Sequence, residues 1–188
     1  MNYLVFDIET TDIILDDPMN LEIAVVSVYE KNNNSIKSFL KDQLHQMWPI
    51  FERVDFVVGY NSDHFDIPLL NKYYQGNLNS IKSIDILKYI KESFGKRVKL
   101  ESVANGTLGY GKITSGIQAV ECWKQGKIDD VIKYCEQDVL ITKDIFEYIL
   151  ENKKVKFKDL ISEKIIEVPI NTSDWNKKEE NSITKSLF

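Results

Sequence analysis

The chain has 188 residues, of which 43% are hydrophobic, 28% charged and 11% aromatic; that length suits one domain, and that composition excludes a disordered or fibrous protein. Its two cysteines, Cys122 and Cys135, form no CxxC pair, which argues against a disulfide scaffold or a cysteine zinc site and makes a reducing, cytoplasmic compartment the expectation. The net charge of -5 argues against a general nucleic-acid coat, no apolar run reaches the ~18 residues of a membrane span, and MNYLVFDIET meets acids too early for a signal peptide, so no membrane partner is expected.

In chain order, Tyr3 to Ile8 reads as a buried strand that starts almost at the N-terminus. Leu21–Tyr29 and Ser35–Leu40 flank the turn cluster Lys31-Asn32-Asn33-Asn34 and predict a hairpin. Residues 42–53 carry a helical pattern, which Pro49 should interrupt. Val54–Tyr60 predicts a short buried strand, followed from Asp66 by a helix with Pro68 in its first turn. Asp85 can cap a helix reaching about Phe94, and Leu100–Asn105 and Gly116–Lys124 are shorter helical candidates.

The clearest helix is expected over Asp129–Leu150, where Ile132, Cys135, Val139, Thr142, Phe146 and Ile149 form an apolar stripe. Val155–Leu160 and Lys164–Ile170 predict a C-terminal hairpin, and the polar tail from Thr172 is expected to be loose. Strands that begin as a meander and then alternate with helices predict an α/β fold, a mixed β-sheet flanked by helices.

Acids stand at three places where propensity does not require them. Asp7 and Glu9, in FDIETT, share one face of the first strand. Like charges on a buried face need a counter-charge, which a divalent cation supplies; solvated acids at a strand end are the alternative. In Tyr60-Asn61-Ser62-Asp63-His64-Phe65-Asp66, Asp66 can either join such a site or cap the helix behind it, with Asn61 a turn residue and Phe65 a core plug. Tyr134 and Asp138 lie i, i+4 on one face of the long helix, flanking its apolar stripe. Four carboxylates from two strand ends and a helix suit a pair of magnesium-type ions that hold the attacking and leaving oxygens of a phosphoryl displacement.

FDIET, then N-x3-F-D, then Y-x3-D, in that order, resemble the three exonuclease motifs of the DEDD (DnaQ-like) superfamily. Tyrosine in the third motif resembles the DEDDy branch, which includes the proofreading domains of family B DNA polymerases and the RNase D type. LESVA, Gly116 to Trp123 and YCEQDV resemble bacterial stand-alone exonucleases related to those domains.

The resemblance implies an RNase H-like exonuclease domain over 1–153, with the hairpin and tail of 154–188 packed on it. It implies a 3′-to-5′ exonuclease that uses two divalent cations, Mg²⁺ or Mn²⁺. The expected substrate is the 3′ end of single-stranded nucleic acid, DNA foremost, with a separate polymerase or helicase chain as a possible partner. Asp7, Glu9, Asp66 and Asp138 would be the metal ligands, Asp7 bridging both ions and Asp66 serving the second. Tyr134 would orient the attacking water, and Thr10, Thr11, Asn61 and Phe65 would contact the terminal nucleotide.

Asp12, Asp63, Asp85 and Glu136 read as surface or capping acids and His64 as structural. Lys96-Arg97-x-Lys99, with Lys112, could meet phosphates or be a solvated run. The rival functions are an RNase D-type exoribonuclease and a non-catalytic nucleic-acid-binding module on the same fold.

Overall fold

The computed structural model describes residues 1–13, 18–110, 116–159 and 164–175. Strand β1 (Tyr3–Thr10) lies at the centre of a five-stranded sheet. β2 (Ile23–Glu30) and β3 (Ser35–Leu40) form the expected antiparallel hairpin, turned by Asn34 at φ 45°. The helical pattern of residues 42–53 splits in two. A 3-10 turn covers Lys41–Gln46, and a short α1 (Trp48–Phe51) takes Pro49 into its first turn, where the missing N–H costs nothing.

β4 (Phe56–Gly59) runs parallel to β1. It leads into α2 (Asp66–Asn71) and then β5 (Ser83–Asp85), a three-residue parallel strand with no clear signal in the sequence. The order β3-β2-β1-β4-β5 is the mixed sheet that the sequence predicts. α3 (Ile86–Phe94), α4 (Leu100–Leu108), α5 (Gly116–Lys124) and α6 (Ile128–Asn152) follow, and β6 (Lys154–Lys158) and β7 (Ile165–Pro169) close a second, two-stranded sheet.

Alternation along β1 sorts its side chains into two cores. Leu4, Phe6 and Ile8 pack with Phe51, Ile67 and Leu70 on the α1–α2 side. Tyr3 and Val5 pack on the other side with Ile145, Phe146 and Ile149 of α6. Asp7 and Glu9 are the next two positions of this α6-facing row.

Val155, Phe157 and Val168 of the C-terminal hairpin join the α6-side core, so the hairpin is an integral part of it. Trp175 corrects the expectation of a tail loose from Thr172: it is buried, its ring stacked on Phe146 with centroids 5.2 Å apart. The remainder of that tail and Lys112 lie outside the described residues. Among the described residues no helix is long and apolar enough to cross a membrane.

Candidate active site

β1 ends where its pairing changes. Glu9 pairs with Val25 but Thr10 with Ile23, so the register skips Ala24 beside the second acid. Such a bulge ends regular pairing and re-aims neighbouring side chains. The parallel pairing with β4 stops at Val5, so on that side the far end of β1 faces the segment after β4, while its pairing with β2 continues to Thr10. α6 crosses the opposite surface, with Val131 and Cys135 packed on Ala24 and Val25 of β2. The buried Cys135 thiol donates to the Asp7 carbonyl at 3.2 Å. One helical turn along, Asp138 meets the acids of β1.

The outcome is a cluster in which ligand oxygens of Asp7, Glu9 and Asp138 all lie within 4.8 Å of one another. Glu9 and Asp138 are buried, and Asp7 is half-buried. Carboxylates this close and this shielded from water raise each other's cost of ionisation. Hard oxygen donors of this kind fit Mg²⁺ or Mn²⁺.

Asp66 completes the acidic surroundings from the α2 side. It is the first residue of α2, while Phe65 holds the N-cap position, so the capping alternative does not describe it. Its carboxyl takes hydrogen bonds from its own backbone and from that of Ile8 on β1. Burial pushes it up to about 8, and the charges of Asp85 and Glu9 add to the effect. A carboxyl so placed ionises readily only when a cation compensates it.

The loop between β4 and α2 is built for close packing. A side chain at Gly59 would meet Ser62 at 2.4 Å, so the chain can fold back tightly there. Asn61 adopts a left-handed φ of 68°, a region asparagine tolerates better than most residues. Asp85 accepts the backbone N–H groups of Asn61 at 2.8 Å and Asp63 at 3.2 Å, besides capping α3 through Leu87 and Lys88. Burial raises the Asp85 carboxyl above its usual range despite these donors.

The contacts of the remaining expected residues are with other groups than the clustered carboxylates. Thr10 is buried, its hydroxyl donating to the Asp12 carbonyl at 2.8 Å, and Thr11 N–H donates to Glu22 O at 3.0 Å. Phe65 packs partly buried against the α1–α2 core. The Tyr134 hydroxyl engages the Cys122 thiol of α5, and burial together with this contact raises the phenol above its ordinary pKa. Asp12 pairs at the surface with Lys124 at 2.9 Å, in keeping with its reading as a surface acid.

Three contacts escape sequence reasoning: Asp85 with Asn61, Arg97 with Asn61, and Cys122 with Tyr134. Each joins residues 12 or more positions apart, and only the capping motif at Asp85 hinted at any of them.

A sequence model of the RNase H superfamily matches residues 4–150, and the chain belongs to that superfamily. RNase H-like nucleases generally use divalent metals, and the acidic cluster at the end of β1 could hold one. Among solved structures the fold is similar to the family B DNA polymerase from the hyperthermophilic archaeon Pyrobaculum calidifontis, with a TM-score of 0.63 and 20% sequence identity. The match covers 79% of this chain but 24% of that one, so the chain spans about a quarter of the polymerase's length. No curated protein sequence matches it.

Proposed function

We propose that the protein is a metal-dependent 3′-to-5′ exonuclease of the DEDDy branch, acting on single-stranded nucleic acid, DNA foremost. The observation that carries this reading is the convergence of Asp7, Glu9 and Asp138 within 4.8 Å at the end of β1, with the buried Asp66 outside that group but close enough for the charge of Glu9 to act on it. Asp7, Glu9 and Asp138 would hold one divalent cation, and Asp66 with Asp7 a second. Bound Mg²⁺ or Mn²⁺ would activate water and stabilise charge on the leaving oxygen of the phosphodiester.

The protein's own groups do the rest. Tyr134 orients the attacking water through its hydroxyl; its raised pKa makes it a hydrogen-bonding group rather than a base at neutral pH. Thr10 and Thr11 follow Glu9 in the chain, Asn61 and Phe65 precede Asp66, and the four are proposed to seat the terminal nucleotide. Two free thiols, Cys122 and Cys135, are in keeping with the proposed cytoplasmic location, where a separate polymerase or helicase chain could supply ends.

The test uses single strands of DNA and RNA labelled at the 5′ end, incubated with Mg²⁺, Mn²⁺ or EDTA. A ladder of progressively shorter 5′-labelled products is expected, absent in EDTA and in Asp7→Ala and Asp138→Ala. Cleavage that persists in EDTA or in both variants would rule out the acidic site. A ladder from RNA alone would move the substrate to RNA.

A further inference from the structure

The loop carrying Asn61 and Asp66 is tied to a second segment, residues 95–99. Arg97 Nη2 donates to Asn61 Oδ1 at 2.6 Å, and the Tyr60 hydroxyl donates to the Val98 carbonyl at 2.7 Å. The segment is short and held at both ends. Gly95, at φ 83°, turns the chain out of α3, and Lys99 precedes the first turn of α4. Val98 anchors it in the α6-side core, while Lys96, Arg97 and Lys99 remain exposed around that anchor.

The charge here opposes that of the whole chain. From Lys88 to Lys99 there are five basic residues and one acid, in a protein of net charge -5. Lys88 is paired with Asp63 at 3.7 Å. Among the described residues, Lys96, Arg97 and Lys99 make no ion pair. The guanidinium of Arg97 has five N–H donors, and Asn61 Oδ1 occupies one side of it, so the group is fixed in place with donors to spare. A cluster of acids repels an approaching polyanion, and a basic rim next to it offsets that repulsion and steers the strand.

We infer that Lys96, Arg97 and Lys99 form a phosphate track that leads a single strand of nucleic acid to the acidic site, with Arg97 locked onto Asn61 as its fixed point. The inference rests on the exonuclease reading and adds the path of the strand. In Asn61 the side-chain carbonyl seats Arg97, and the amide –NH2, which is not in that bond, is the donor left for the terminal nucleotide.

The test is anisotropy of a labelled single-stranded DNA in EDTA across a salt series. Wild type is compared with Lys96→Gln/Arg97→Gln/Lys99→Gln and with Lys96→Gln/Lys99→Gln, which keeps the Arg97–Asn61 bond. Each lost phosphate contact lowers the log–log salt slope by ~0.7, so the triple variant should lose about 2 and the double about 1.4. Mn²⁺ affinity should be unchanged in both. With Mg²⁺ present, KM for the strand should rise about tenfold while kcat holds, as expected for lost uniform binding. Wild type that binds and shortens strands while both variants keep its slope overturns the track alone. Wild type that neither binds nor shortens any strand overturns the exonuclease reading and the track with it.

Discussion

The carboxylate of Asp85 holds the backbone N–H of Asn61 at 2.8 Å, and the same oxygen takes the N–H of Leu87 at 3.0 Å. One buried acid therefore fastens the loop that carries Asp66 to the junction of β5 and α3. Asp85→Ala removes the helix cap and leaves the loop's N–H groups without their acceptor. The expected cost is about 2–4 kcal/mol, from a cap of ~1 kcal/mol and ~1–3 kcal/mol for a buried donor left unsatisfied. Urea unfolding measures it, and Mn²⁺ affinity should fall in the same variant because Asp66 is no longer held in place.

Asp138→Asn should separate stability from function. In the absence of metal, removing one charge from three acids within 4.8 Å relieves repulsion, so Tm should rise by a few degrees. The rise in Tm that Mn²⁺ brings to wild type should shrink, because ligand stabilisation follows occupancy. Thermal scans with and without Mn²⁺ read both effects.

Tyr134→Phe removes the hydroxyl that engages Cys122 and keeps the ring. Turnover should fall about 10- to 100-fold, in the range of a lost positioning group, while Mn²⁺ affinity stays within twofold. Single-turnover kinetics beside a Mn²⁺ titration distinguish this from a metal-ligand role, for which both quantities would change together.

Much of this site was legible because its residues obey local rules. Alternation along β1 puts Asp7 and Glu9 on one face, and the i, i+4 spacing puts Tyr134 and Asp138 on another. The β2–β3 hairpin was equally plain, since Asn34 and its neighbours mark a turn between two apolar runs. What escaped is non-local. β5 is three residues long, too short for periodicity to register, and it exists because β4 offers it a parallel edge. Asp85 could be read as a cap from its neighbours, but its grip on Asn61 depends on the placement of β4 and β5 side by side. Trp175 was hidden for the same reason: its polar surroundings predict a loose tail, and only the folded Phe146 ring offers it a partner.

Glu147 ties α6 to the start of β1 far from the acids. It accepts from the Tyr3 hydroxyl at 3.0 Å, Lys31 at 2.8 Å and Lys143 at 3.3 Å. Burial raises its pKa, but Lys31, Tyr3 and Lys143 together outweigh burial and hold it below the usual range. A depressed folded pKa favours the ionised form, so the stabilisation is complete above the unfolded value of ~4.3 and is lost as pH falls through the folded one. Glu147→Gln should cost roughly 1 kcal/mol at pH 7 and flatten the acid limb of the stability curve. Urea midpoints at pH 7, 5 and 3.5 test the sign.

Gly106 marks the seam between α4 and the C-terminal hairpin. A Cβ there would stand 2.4 Å from Phe157 Cα and 2.6 Å from the Lys156 carbonyl oxygen. Backbone cannot yield as a side chain can, so Gly106→Ala should destabilise the fold by about 2 kcal/mol or more. Specific activity of the folded fraction should be unchanged. A loss of hydrolysis without a loss of stability would contradict the packing role.

The central claim is that Asp7, Glu9 and Asp138, with Asp66, are a metal centre. Calorimetric titration of the metal-stripped protein with Mn²⁺ tests it most directly, in wild type and in Asp7→Ala. The account predicts saturable binding of two ions to wild type and loss of both in Asp7→Ala, since Asp7 is the proposed bridge. Equal binding by the two proteins, or none by wild type, would contradict it.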